Sequence, residues 1–150
     1  MRAFLDVNVL IALLDAGHAL YREAMSWLER EIRHDWASCL ITQNGVVRIM
    51  SQPAYPVSRP PALVAERLGE ACANPDHAFW ADEISFPESE LIRWKHVLGH
   101  RQATDAYLLA LAARHQGRLV TFDRRISPKV IQGAMPEQLV TLSGETPITP

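Results

Sequence analysis

Residues 3–14 read Ala3-Phe4-Leu5-Asp6-Val7-Asn8-Val9-Leu10-Ile11-Ala12-Leu13-Leu14, and the fold turns on how that run divides. Ala3–Val7 predicts a short buried strand. The apolar positions continue through Val9, Leu10, Ile11, Leu13 and Leu14, so a helix is expected to begin almost at once. Asp15-Ala16-Gly17 breaks it. Asp6 stands where strand gives way to helix. A carboxylate flanked by Phe4, Leu5, Val7 and Val9 needs a partner.

Outward from there the chain alternates. His18–Arg33 predicts a helix, with Leu20, Ala24, Trp27, Leu28 and Ile32 near helical spacing. Trp36–Leu40 predicts a strand, and Thr42 a cap for a helix from Gln43 to Met50. Pro53, Pro56, Pro60 and Pro61 mark an irregular connection, followed by a helix over Pro61–Ala73 that Asn74-Pro75 ends. A strand is expected at His77–Ala81 and a helix from Pro87 to Val97. Thr104–His115 is the clearest helix, closed by Gly117. Leu119–Phe122 is a buried strand ending on Asp123, Gln138–Leu142 a last strand, and residues 144–150 a frayed tail. Strands separated by helices imply one α/β domain over residues 1–150, in three α/β/α layers around a central, mostly parallel sheet. In such folds chemistry gathers at the carboxyl ends of the strands.

Composition narrows the partners. The chain has 150 residues, 48% of them hydrophobic, and a formal net charge of −2. It is neither disordered nor a generic basic coat for nucleic acid, so nucleic-acid binding needs a local patch. Only Lys95 and Lys129 are lysine; the other basic residues are arginine, which suits bidentate phosphate contact. No apolar run approaches the ~20 residues of a membrane span, and Asp6 within the opening apolar stretch argues against a secretory signal. Cys39 and Cys72 lack metal-ligand spacing and form no disulfide framework. They are expected to be small apolar residues in the reducing cytoplasm.

The chemistry-bearing residues fall at element ends on one rim. Asp6 and Asp123 end strands. Asp105 lies in the first turn of the helix after Thr104, Gln43 in the first turn of the helix after the second strand, and Asn8 beside Asp6. Carboxylates drawn together raise one another's pKa, and a divalent cation relieves this. Mg²⁺ or Mn²⁺ prefers oxygen ligands. Such an ion binds a phosphate oxygen, lowers the pKa of a bound water and stabilises a leaving oxygen, which is phosphodiester hydrolysis. Each residue also has a plainer role: Asp105 as a helix-start acid, Asp123 as a turn or cap residue, Gln43 as a helix-start polar residue. Arg124, Arg125 and Lys129 form a basic group beside Asp123 that suits either phosphates or a solvated face. The six histidines are scattered and read as surface or packing residues.

Taken together these segments resemble the PIN-domain ribonucleases. Phe4–Leu14 resembles the first motif of that family. Thr104-Asp105-Ala106-Tyr107-Leu108-Leu109-Ala110-Leu111-Ala112 resembles the third, and Leu119-Val120-Thr121-Phe122-Asp123 the fourth. Ile41–Ser51 looks like a variant of the second-acid region, most similar to the bacterial VapC-type toxin branch. The resemblance implies a PIN α/β/α sandwich and Mg²⁺- or Mn²⁺-dependent cleavage of RNA. It also implies a cognate antitoxin that blocks the cleft, and a homodimer. By position, Asp6, Asp105 and Asp123 would hold the metal, Asn8 would match a polar position beside the first acid, and Thr121 a hydroxyl beside the fourth. The second acid falls on Gln43, which removes one charge and implies weaker metal binding, with Gln43 orienting water or RNA instead.

Two other classes remain open on the sequence alone. Asp6-Val7-Asn8-Val9 faintly resembles the opening of haloacid-dehalogenase-type phosphatases, although the second Asp is Asn8 and the Thr is Val9. A binding protein that keeps the fold without the chemistry is the other, and Gln43 favours it.

Overall fold

The computed structural model describes residues 1–31 and 35–143. The first apolar run divides at Asp6: β1 covers Ala3–Leu5 and α1 covers Val7–Leu14. Asp6 is extended and caps the helix, its Oδ1 accepting from the Val7 N–H at 2.7 Å. Then come α2 (Tyr21–Glu31), β2 (Trp36–Cys39), α3 (Leu40–Met50), α4 (Pro61–Cys72), β3 (His77–Trp80), α5 (Gln102–Arg114), β4 (Arg118–Thr121) and β5 (Leu139–Thr141). The expected continuation of α2 to Arg33, the surroundings of Ile32 and His34, and the frayed tail at 144–150 lie outside the described residues.

The five strands form one parallel sheet in the order β3-β2-β1-β4-β5. Alternation along the strands separates two apolar layers. Phe4 and Leu119 point to one face, where they meet α5 and the irregular segments around Ile92 and Ile131. Ala3, Leu5 and Val120 point to the other, against Val9 and Leu10 of α1, Trp27 of α2, Val46 of α3 and Leu68 of α4. The result is the three-layer α/β/α arrangement. In α5 every residue from Ala106 to Ala112 is buried, the mark of a helix enclosed on most sides. Among the described residues no helix is long and apolar enough to cross a membrane.

Three expectations shift. The helix expected over Pro87–Val97 is reduced to a single 3₁₀ turn at Trp94–His96. Its backbone is used elsewhere: Arg93 N–H donates to the Val130 carbonyl at 2.8 Å, and Gln132 N–H to the Leu91 carbonyl at 2.8 Å. The segment is pinned to residues 130–132, and its own helical bonds are confined to the short turn, where the His96 and Val97 N–H groups donate to the Arg93 and Trp94 carbonyls. Thr42 is not the cap of α3 but sits inside its first turn, fully buried. Its Oγ1 accepts from the Cys39 N–H at 3.0 Å, so Cys39 is the capping position. At the end of α5 the left-handed residue is Gln116 (φ 54°), not Gly117. Gly117 is needed for closeness: a Cβ there would lie 2.6 Å from the Trp80 ring and 2.9 Å from the Arg2 carbonyl oxygen.

Candidate active site

The chain runs from β1 outward through β2 to β3, then returns to lay β4 on the other side of β1. The connections leaving β1 and β4 therefore depart in opposite directions, and a crevice opens between their carboxyl ends. Asp6 follows β1 directly, and Thr121 closes β4. Asp6 N–H donates to the Val120 carbonyl at 3.0 Å, which carries the ladder one residue past β1 and fixes Asp6 at the mouth of the crevice.

A short network sets the Asp6 carboxylate. Asn8 Nδ2 donates to Thr121 Oγ1 at 3.3 Å, and Asp123 N–H donates to the same oxygen at 3.0 Å. With both acceptor positions filled, the one hydroxyl proton is left for Asp6 Oδ2, 2.6 Å away. Asn8 is oriented in turn by the Phe122 N–H, which donates to its Oδ1 at 3.3 Å. Both Asp6 oxygens thus accept a hydrogen bond. Burial nonetheless outweighs these bonds and raises the Asp6 carboxyl above its ordinary value, with Asp123 adding to the rise.

Asp105 enters from the opposite face, in the first turn of α5. Burial, then Asp6, then Asp123 push its carboxyl up to about 6, and Arg125 draws it back in part. Asp123 behaves differently. Its side chain is 18% exposed and meets the guanidinium of Arg125, whose Nε lies 3.0 Å from Oδ1 and whose Nη2 lies 2.9 Å from Oδ2. Arg125 holds that carboxyl below the usual range.

Asp6, Asn8, Asp105 and Asp123 line one cleft of about 670 Å³, together with His18, Asn44, Arg48, Tyr55 and Thr104. Asp105 also lines an adjoining groove of about 300 Å³ with His96, Gln102, Arg125, Ser127 and Lys129. The donors at the centre of the cleft are carboxylate and carboxamide oxygens, a set that suits a hard divalent cation. The acids feel one another's charge. Yet among the described residues no three His, Cys, Asp or Glu side chains are drawn closely enough to hold an ion as they stand. Asp123 is turned toward Arg125 instead.

Three expected site residues are placed differently from the sequence reading. Gln43 does not line the cleft. Its Nε2 donates to Ser38 Oγ at 3.0 Å and reaches Cys72 Sγ at 4.0 Å, so the amide is spent on the β2–α4 side of α3. Thr121 has no exposed surface, and its hydroxyl is directed at Asp6. Arg125 is taken up by Asp123 rather than presented to phosphate. Arg124 is exposed as the sequence suggested. The residues that sequence reading missed are Asn44 and Arg48, one helical turn apart on α3 and both on the cleft. Their i, i+4 spacing was the available signal, together with Gly45 between them, where a Cβ would lie 2.7 Å from Val7 Cγ2. The close approach of α3 to α1 at that glycine brings this helix face to the rim. His18 also lines the cleft, its Nδ1 accepting from the Leu20 N–H at 3.0 Å. His77 and His115 are packing residues, against Trp36 and Trp80.

A family model, PIN domain, matches residues 3–129. Ribonuclease VapC44 of Mycobacterium tuberculosis is 46% identical over 142 residues, which span 95% of this chain and 100% of that protein. Ribonuclease VapC39 of the same organism is 38% identical over 134 residues, 89% of this chain and 96% of that one. Among solved structures, a toxin-antitoxin complex from Klebsiella pneumoniae contains a chain that superposes with a TM-score of 0.54. The match covers 93% of this chain and 97% of that one, and at 23% identity the likeness is one of fold.

Proposed function

Because the chain belongs to the PIN domain family, within its VapC ribonucleases, we propose that it hydrolyses RNA phosphodiester bonds with a divalent cation, Mg²⁺ or Mn²⁺, held by Asp6, Asp105 and Asp123. The observation that carries this reading is the cleft itself: three carboxylates, following β1, in α5 and at the end of β4, line one crevice, and Asp6 and Asp105 are driven above their ordinary pKa by burial first and then by neighbouring carboxylates, Asp123 acting on both. Acids so placed favour a cation among them. When bound, the ion would take a phosphate oxygen and make water a better nucleophile.

The chain's own residues supply the rest. Thr121 and the Val7 N–H orient Asp6 from behind, leaving its remaining lone pairs for the cleft. Asn8 steadies Thr121. Arg48 on one side of the acids and Lys129 on the other would take backbone phosphates of a single strand lying across Asp105. We assign to the chain the role of a toxin held in check by a cognate antitoxin protein in the cytoplasm, acting as a homodimer. The haloacid-dehalogenase alternative is set aside with the family assignment.

The test is cleavage of a structured RNA in Mg²⁺ or Mn²⁺. Cleavage is expected to disappear in EDTA and in D6N; activity that persists in both would overturn the carboxylate–metal mechanism. A non-catalytic binding role is favoured by one observation, the closure of Asp123 on Arg125. It gains if D6N binds RNA as the natural protein does and neither cuts it.

A further inference from the structure

Arg125 is tied to one partner by an unusual number of bonds. Its backbone N–H donates to Asp123 Oδ1 at 2.9 Å, its Nε to the same oxygen at 3.0 Å, and its Nη2 to Oδ2 at 2.9 Å. Both oxygens of the carboxylate are filled by a residue two positions along the chain. The same residue lines a groove together with Asp105, so it stands near two of the three acids. Its side chain is 71% exposed and makes its hydrogen bonds to Asp123 alone among the described residues. The two-point fork makes the pair stronger than most surface pairs, but the exposed guanidinium stays hydrated and can leave it for water.

We propose that Arg125 is an exchangeable counter-ion of the acidic cleft, holding the Asp123 carboxylate while no divalent cation is present and surrendering it when one binds. The inference rests on the assignment of Asp123 to the ion under the proposed function. A guanidinium fork covers both oxygens in the plane of the carboxylate, the positions through which a cation would be ligated, so the two compete for the same atoms. The Arg125 backbone N–H also donates to Asp123 Oδ1 and does not involve the guanidinium, so release of the guanidinium alone, as in R125Q, leaves that bond of the turn in place.

The experiment is calorimetric titration with Mn²⁺ alone, in the absence of RNA, on the natural protein, R125Q, R125K, D123N and the double variant D123N/R125Q, with D6N as reference. R125Q is expected to bind Mn²⁺ about three-fold more tightly, the size of an exposed ion pair released from competition. R125K keeps the charge but cannot fork, and is expected to show part of that gain. In the D123N background, R125Q is expected to change nothing. Equal or weaker binding by R125Q overturns the proposal. So does an R125K that matches the natural protein while R125Q gains, since charge alone would then explain the effect, and so does a gain that persists in D123N. Binding lost in D6N but indifferent to residue 125 overturns this inference and spares the metal site. Absence of Mn²⁺ binding in the natural protein overturns both.

Discussion

Two side chains at the cleft show how differently burial acts on neighbours. The Thr121 hydroxyl is saturated, with Asn8 Nδ2 and the Asp123 N–H donating to it and Asp6 Oδ2 receiving its proton. Thr121→Val keeps the shape and leaves a buried carboxylate oxygen and a backbone N–H without their partner. The expected loss is about 1–3 kcal/mol in urea unfolding, whereas Thr121→Ser, which removes one buried methyl, should lose about 1 kcal/mol at most. If the two variants unfold alike, the hydroxyl does not hold the site. Asp105 is the opposite case, a group the metal-free fold tolerates poorly. Its carboxyl titrates near 6 in the fold against 3.8 for the ordinary residue. Folding therefore favours the protonated form: the stabilisation is whole below about pH 4 and is lost as pH rises through 6. Two pKa units correspond to about 2.7 kcal/mol, and screening of a half-exposed group reduces this to about 1 kcal/mol. Asp105→Asn should raise the melting temperature of the metal-free protein by about 3 °C at pH 7.5 and by almost nothing at pH 4. A gain independent of pH would show that charge is not its source.

At the scale of elements, the strands and most helices were legible because their apolar periodicity is strong and their ends carry breakers. Ala3–Leu5, Trp36–Cys39 and Arg118–Thr121 lie within a residue or two of where their sequence put them. Two features were not legible, for separate reasons. The segment from Pro87 to Val97 has helix-compatible residues, but its backbone is claimed by residues 130–132, a long-range pairing that local sequence does not encode. The side of α3 that faces the crevice depends on the approach of α1, and a rotation of one residue decides between Gln43 and Asn44. Gly45 sets that rotation. Its missing Cβ leaves room for Val7, the residue that opens α1 next to Asp6. Gly45→Ala gains up to about 1 kcal/mol of helix propensity against about 1–3 kcal/mol of overpacking on a stiff β-branched neighbour. The net expectation is destabilisation by about 1 kcal/mol, and Val7→Ala in the same chain should recover most of it. Non-additivity between the two, read by a double-mutant cycle in urea, is the measurement; strict additivity would mean that α1 and α3 do not press on each other there.

For the molecule as a whole, a net charge of −2 gives RNA no general reason to approach. What attraction there is must be local, and the topology shows where. The return of the chain from β3 to β4 opens the crevice between β1 and β4, and α3 and the 124–130 segment flank it with Arg48 on one side and Lys129 on the other. Between them lie acids that repel a phosphate backbone, a repulsion that the cation of the proposed function would relieve. Binding of uncleaved RNA in EDTA should therefore be weak and carried by few contacts. Each phosphate contact to a single strand contributes about 0.7 to the slope of log affinity against log salt. Arg48→Ala and Lys129→Ala are each expected to lower that slope by about 0.7, and the double variant by about twice as much, in fluorescence anisotropy with a labelled single-stranded RNA. A variant that weakens binding while leaving the slope intact would mean that its side chain meets a base or the fold rather than a phosphate, and that the strand takes another course across Asp105.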